Sequence, residues 1–338
     1  HEYGLELAKK YGNEYRIAAA YQTKGLVNAV LGNYDEIIKY YIMSKDIKLN
    51  FDNKLELSYS YNAIGFYCYM TGDYIEAYHQ FENALECLKI VREYHEIAMT
   101  FFNIGSNLFL AFEHKSALIY FDNLMKMINV LNMDGLKYHS LFGIYALIGV
   151  VNGVSGNISK AYEFYARIKM LELQPIPKKN EEFYLFEILE ALICKAEGDY
   201  ESAIRYFEQA KYYLYKKNDV ITYMAPRFYY EYALLYEDME QPSSAEEMYK
   251  KGLEISNEQK NKFYKSIFLE KLGQVQINDK PIRINSISFD FEGIIQEARL
   301  EISITKLHKK VNEINFLNHL QGIYEKSKTK EELIQNTM

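Results

Sequence analysis

Proline and cysteine are scarce in this sequence, and tryptophan is absent. Only 5 prolines occur in 338 residues, and they avoid most of the periodic apolar segments, which favours long uninterrupted helices. The three cysteines, Cys68, Cys87 and Cys194, are far apart and form no CxxC pair. The sequence therefore predicts neither a disulfide framework nor a zinc site, and it indicates a reducing, cytoplasmic setting. The seven histidines are equally scattered, and we expect no metal and no cofactor.

Long apolar runs and clusters of positive charge are missing as well. No run approaches the roughly 20 residues of a membrane span, and residues 1–4 lack a signal-peptide pattern. The net charge of −7 argues against a nucleic-acid surface, because phosphate binding requires clustered Lys and Arg. Phosphate-loop, dinucleotide-binding, HExxH and GxSxG motifs are also absent. We therefore expect no catalytic residue in this chain, no membrane partner and no nucleic-acid partner.

The sequence does contain an internal repeat of 40 to 44 residues. A small residue recurs in equivalent apolar contexts at Gly25, Gly65, Gly105, Gly149, Ala191, Ala233 and Gly273. A second series follows seven positions later, at Gly32, Gly72, Gly156 and Gly198. A third series is an alanine with an aromatic residue four positions on, as in Ala77–Phe81, Ala117–Phe121, Ala161–Tyr165, Ala203–Phe207 and Ala245–Tyr249. A repeat of this length predicts stacked helix-turn-helix units.

Each series has a physical role in such a unit. The first small residue lets helix A of a repeat approach helix B closely, and the second glycine ends helix A in the left-handed conformation that Gly adopts with least strain. The alanine permits close packing at the start of helix B. We expect the aromatic residue one turn later to fill the gap toward the neighbouring repeat. Repeat three has Phe112, and repeat six has Glu240, where the second glycine is expected.

The three series together resemble those of tetratricopeptide repeats. The resemblance is to the long-period type found in bacterial transcription activators of the MalT kind and in sensor proteins. The resemblance is strongest at 58–88 and 184–214. It implies an all-α, right-handed superhelical solenoid of helix-turn-helix repeats with a long C-terminal helix. The segments are the second helix of a truncated repeat at 1–17, six repeats at about 18–57, 58–97, 98–141, 142–183, 184–225 and 226–261, the first helix of a seventh repeat up to 277, a polar linker at 278–290 and the C-terminal helix at 291–338.

The C-terminal helix carries a different pattern, with apolar residues spaced by 4, 3, 4 and 3 at Leu300, Ile304, Leu307, Val311 and Ile314. This 3.5-residue period has two interpretations. The helix covers the apolar end of the solenoid, which every array must protect, or it pairs in parallel with a second copy to form a homodimer that transmits a signal. Residues 312–338 resemble the segment that leads into a GAF-type domain in bacterial signalling proteins.

The resemblance also implies where a ligand binds. Helix A lines the concave face of tetratricopeptide arrays, and the ligand-contacting positions correspond here to Gln22, Tyr59, Asn62, Phe66, Tyr69, Asn103, Phe109, Arg227 and Tyr230. The carboxamides among them offer both a donor and an acceptor, so a row of them can pair with the backbone of an extended peptide. The alternative is that a carboxamide at this position bonds to a neighbouring helix.

Two functions agree with these features. The first is a cytoplasmic, non-catalytic module that binds a peptide or protein as the regulatory region of a larger bacterial signal-transduction protein, such as a diguanylate cyclase or histidine kinase. The alternative is a quorum-sensing peptide receptor of the Rap, NprR and PlcR kind. Those receptors carry an N-terminal helix-turn-helix or three-helix bundle, which is not visible in this sequence.

Overall fold

The computed structural model describes residues 2–31, 33–51, 53–132, 138–172, 183–214, 222–274, 287 and 289–326. Over these ranges the chain forms fifteen α-helices and no strand. The helices are α1 Glu2–Lys10, α2 Glu14–Leu31, α3 Tyr34–Lys48, α4 Lys54–Met70, α5 Tyr74–Val91, α6 Tyr94–Leu110, α7 His114–Leu131, α8 Tyr138–Val154, α9 Ile158–Glu172, α10 Phe183–Glu197, α11 Tyr200–Leu214, α12 Ala225–Asp238, α13 Pro242–Glu258, α14 Lys262–Lys271 and α15 Phe291–Lys326. In this part of the chain no helix is both long and apolar enough to cross a membrane.

Consecutive helices pack as pairs, from α2 with α3 to α12 with α13, and neighbouring pairs stack on one another. The apolar side chains of the pairs merge into one continuous core that runs from Ile37 to Ala298. The prediction of an all-α solenoid of helix-turn-helix repeats is therefore confirmed.

Close contact between the two helices of a pair depends on the first glycine of the repeat. A Cβ atom placed on Gly65 would lie 2.7 Å from the ring of Phe81, and one on Gly105 would lie 2.6 Å from the ring of Phe121. Both rings are buried on the glycine of their own helix A. In these two repeats the ring thus fills the space between the two helices of its own pair.

The turns between helix A and helix B share one backbone conformation. Gly72 has a φ of 78°, which confirms the left-handed turn predicted for the second glycine series. Phe112 and Glu240, which replace this glycine in repeats three and six, have φ values of 64° and 56°. A residue with a side chain is strained by about 1–2 kcal/mol in this conformation. The packing of the array therefore imposes the turn even where the local sequence does not favour it.

The array curves until its last helices contact its second and third repeats. The Tyr69 ring at the end of α4 lies 4.9 Å from the Tyr223 ring, centroid to centroid. The Asn261 amide donates to the Tyr74 hydroxyl at 3.2 Å. We call the contacts between α4–α7 and residues 222–268 the closing contact. It covers part of the concave face that a more open solenoid exposes.

Only the first turns of α15 pack on the array. Ile294, Ile295 and Ala298 are buried, and the Phe291 ring lies 5.1 Å from Phe101 of α6 and 5.0 Å from Tyr120 of α7. The helix thus packs on the middle of the array, whereas the end-cap interpretation places it on the last repeat. Every described side chain from 303 to 319 is exposed.

Candidate functional site

The nine residues predicted to line the groove divide by burial. Tyr69, Phe109 and Arg227 are buried, with exposed fractions of 4%, 0% and 2%. They do not face an open groove, because the closing contact brings the ends of α4 and α6 against α12. The other six are half-buried or exposed: Gln22, Tyr59, Asn62, Phe66, Asn103 and Tyr230.

Arg227 is the central residue of the closing contact. Its guanidinium lies 2.5 Å from a carboxylate oxygen of Glu231, one helical turn further along α12, and Glu231 is itself buried. The guanidinium also lies over the rings of Phe112 at 4.1 Å and Phe109 at 4.5 Å. Burial is the largest single effect and lowers the pKa of Arg227, but the Glu231 carboxylate and the Tyr264 hydroxyl together outweigh burial and raise this pKa above its ordinary value. A permanently charged, planar side chain is thus paired with one anion and stacked on two aromatic faces.

The C-terminal end of α6 is bound by residues from the other side of the closing contact. Arg227 Nη1 donates to the Phe109 carbonyl at 3.3 Å, and the Tyr264 hydroxyl donates to the Leu110 carbonyl at 2.9 Å. The last carbonyls of a helix have no partner within the helix and carry the negative end of its dipole. The hydroxyl therefore satisfies the Leu110 carbonyl, and the guanidinium gives the Phe109 carbonyl a second, charged donor beside the Phe112 N–H.

His114, at the start of α7, completes this cluster. Its Nε2 lies 3.0 Å from Arg227 Nη2. Burial and the charge of Arg227 lower the pKa of His114 to about 4, so the imidazole is neutral at pH 7. Because arginine can only donate, Nε2 is the acceptor and the proton of the neutral ring is on Nδ1.

A cleft of about 540 Å³ lies beside the cluster, where the ends of α8, α10 and α12 meet the start of α7. Its wall contains the Lys195–Asp238 ion pair, with 2.7 Å between Nζ and Oδ2, and the half-buried ring of Tyr230. The cleft thus contains two ion pairs, Lys195 with Asp238 and Arg227 with Glu231. Such a wall suits a polar ligand of mixed charge better than a simple anion or cation.

The open part of the concave face lies on α4 and α6. Phe66 is 40% exposed, and its ring packs edge-on against Tyr223 at 6.0 Å. Asn62 donates to Thr100 Oγ1 at 3.3 Å, so it bridges two helices as the alternative interpretation of this position anticipates. The side chain of Asn103 forms no hydrogen bond with any part of the chain that the structure describes, and it is half-exposed. We call the surface of Tyr59, Asn62, Phe66 and Asn103 the open groove.

Gln22 belongs to a structural network that sequence reasoning missed. Lys48 of α3 is only 2% exposed, and its Nζ donates to Gln22 Oε1 at 2.6 Å and lies 2.9 Å from Glu56 Oε2. The network joins the first two repeats around a buried ammonium group. Nothing in the spacing of Lys48 marks it as buried, since it follows a polar stretch near the end of its helix.

The thiols are not arranged for chemistry. Cys68 and Cys87 are buried, and burial raises the pKa of the Cys68 thiol to about 12. Among the described residues, no group of three His, Cys, Asp or Glu side chains is placed to hold a metal ion.

Solved structures with a similar fold include aspartyl phosphate phosphatase F from Bacillus subtilis, with a TM-score of 0.59, 16% identity and coverage of 73% of this chain. A Rap protein complexed with Competence and Sporulation Factor gives a TM-score of 0.51 and 15% identity, over 85% of this chain and 77% of that one. This chain spans 62% of the length of the phosphatase. No family model matches the sequence, and no curated protein is significantly similar to it. At these identities the likeness shows the fold, a helical-repeat solenoid.

Proposed function

We propose that this chain is a receptor that binds a short extended peptide in the open groove. The observation that carries the proposal is that two contacting helices of the open groove present an unengaged carboxamide, Asn103 on α6, and an exposed aromatic ring, Phe66 on α4. The carboxamide can form hydrogen bonds with the N–H and C=O groups of a peptide backbone, whatever the side chains of the peptide. The ring supplies apolar contact with little side-chain entropy to lose.

The spacing of the helices indicates the length of the ligand. A helix with its side chains is about 10–12 Å wide, and an extended peptide advances about 3.3 Å per residue. The two helices of the open groove, α4 and α6, therefore correspond together to roughly six peptide residues. We expect a ligand of about this length.

The comparisons support the peptide-receptor hypothesis more than the hypothesis of a sensory region in a larger signalling protein, for which they give no support. One of the similar folds is complexed with Competence and Sporulation Factor. We assign no catalytic step to this chain, because the charged groups of the cleft are engaged with one another. The free thiols of Cys68, Cys87 and Cys194 suit a reducing compartment, and we place the receptor in the cytoplasm.

Affinity selection from a pooled library of synthetic six-residue peptides, followed by calorimetry with the retained peptides, tests the proposal. Asn103→Ala and Phe66→Ala should each weaken binding about tenfold, which corresponds to about 1.4 kcal/mol. The matched controls are Asn83→Ala on α5 and Tyr212→Ala on α11, both exposed positions on B helices. They should leave affinity unchanged. Retention of no peptide, or equal losses in the controls, would overturn the proposal.

A further inference from the structure

The apolar stripe of α15 is exposed to solvent along its whole length. Leu300, Ile304, Leu307, Val311 and Ile314 have exposed fractions between 45% and 62%. The other described side chains between 299 and 319 are also exposed, except that of Ile302, which is half-buried. A contiguous apolar surface of this kind on a long helix indicates an interaction site.

The stripe lies on the opposite side of α15 from the face that packs on the array. An α-helix turns about 100° per residue, so Ile304 lies about 180° around the axis from Ile295. The buried residues Ile295 and Ala298 belong to one face and Leu300 and Leu307 to the other. The stripe is therefore not a frayed extension of the packed face. It begins where the packing on α6 and α7 ends, and it points away from the array.

From this geometry we infer that α15 pairs in parallel with α15 of a second copy of the chain. In a heptad numbered on this stripe, the β-branched residues Ile304 and Val311 occupy position a, and Leu300, Leu307 and Ile314 occupy position d. β-branched residues at both a positions with Leu at two of the three d positions favour a parallel two-stranded coiled coil. The next position a is Asn318, and a single asparagine there fixes the register of such a pair.

The flanking residues and the packed face also permit this pairing. The residues at the edge positions e and g include His308, Lys310 and Asn315. In a parallel pair Lys310 faces Asn315 of the second copy, so no two like charges are opposed across this interface. Because the array packs on the far side of each α15, the two arrays lie on the outside of the pair. They do not compete with the second helix for the stripe.

Light scattering coupled to size exclusion on the full 338-residue chain, over a range of concentrations, tests the inference. The wild-type mass should approach twice the 39.8 kDa of one chain as concentration rises. Ile304→Lys with Val311→Lys should restore the single-chain mass and raise the dissociation constant at least tenfold. The control is Thr305→Lys with Asn312→Lys, which adds the same charge to the same helix at exposed positions off the stripe. It should dimerise as the wild type does.

A wild-type mass of one chain at every concentration, or a dimer that survives the stripe variant, would overturn the inference. Orientation is tested separately with Asn318→Cys under mild oxidation. Two parallel helices in register bring the two introduced thiols together, so a cross-linked dimer is expected. A dimer that yields no cross-link would rule out the parallel arrangement. Helix content from circular dichroism shows that each variant remains folded.

Discussion

Removal of the Glu231 carboxylate should destabilise the closing contact strongly. Arg227 and Glu231 are 2% and 4% exposed, so Glu231→Leu leaves a guanidinium buried without its counter-charge. Breaking one side of a buried ion pair typically costs about 3–5 kcal/mol. The stacking on Phe112 and the bond to the Phe109 carbonyl persist in the variant, and neither replaces the lost anion. We therefore expect the free energy of unfolding to fall by about 3–5 kcal/mol.

The double variant Arg227→Met with Glu231→Leu separates the charge effect from packing. Apolar residues that replace both members of a buried pair are often neutral or stabilising. Here the Phe109 carbonyl also loses one of its two donors but keeps the Phe112 N–H, so this loss costs only about 0.5–1.5 kcal/mol. The double variant should therefore be more stable than Glu231→Leu alone. This ordering is the opposite of what additive losses would give.

Urea unfolding followed by circular dichroism gives these free energies, and hydrogen exchange in α6 and α12 shows whether the loss is local, because repeat arrays open in parts. The matched control is Glu246→Leu, which removes an exposed carboxylate 2.6 Å from Lys250. An exposed pair contributes about 0–1 kcal/mol. The reasoning is refuted if Glu231→Leu costs no more than Glu246→Leu, or if the double variant is the less stable of the two Glu231 variants.

Three further predictions concern single positions. The pKa of His114 is lowered to about 4, so the unfolded chain binds a proton that the folded chain does not between pH 6.5 and 4, and stability falls as the pH is lowered. Between pH 7 and pH 5 the free energy of unfolding, measured by urea titration at each pH, should fall by about 2 kcal/mol more in the wild type than in His114→Gln. Glu240→Gly should raise the free energy of unfolding by about 1 kcal/mol, because it relieves a left-handed residue; a lower urea midpoint would contradict this. Gly65→Ala should lower it by about 1–3 kcal/mol, because the new methyl group overlaps the ring of Phe81, and an unchanged midpoint would show that the ring can move aside.

The helices and their turns could be predicted from the sequence because their determinants are local. The glycine that accommodates Phe81 and the glycine that ends each helix A recur at fixed spacing, so each copy supports the others. The turns at Phe112 and Glu240 carry no such signal, and their left-handed conformation depends on the neighbouring repeats. In these turns the array overrides the preference of the residue.

The closing contact could not be predicted in the same way, because it joins residues more than 100 positions apart. Its position depends on small rotations that accumulate from repeat to repeat, and no short pattern records their sum. One signal was present: Arg227 and Glu231 are one turn apart on an otherwise apolar stretch of α12. Charges of opposite sign at that spacing on a buried face are expected to pair. The resemblance instead implies a ligand-binding role for Arg227, because it places this residue on the concave face.

The open groove and the closing contact share one aromatic side chain. Tyr223 packs against Phe66 in the open groove and against Tyr69 in the closing contact. If the proposed peptide packs on Phe66, we expect it to act through Tyr223 on the segment that leads into α12, and we expect a change in closure to change the peptide site. Coupling of this kind is reciprocal. If closure changes the affinity for the peptide by some factor, the bound peptide changes the equilibrium constant of closure by the same factor.

The Glu231→Leu variant therefore tests more than stability. If a six-residue peptide favours the closed array, its affinity should fall in this variant, at most by the factor by which saturating peptide protects the closing contact in the wild type. Calorimetry gives the first quantity, and hydrogen exchange in α12 with and without peptide gives the second. Equal affinity for the two proteins, when hydrogen exchange shows α12 open in the variant and strongly protected by the peptide in the wild type, would contradict this relation. It would show that Tyr223 does not transmit binding to the closing contact.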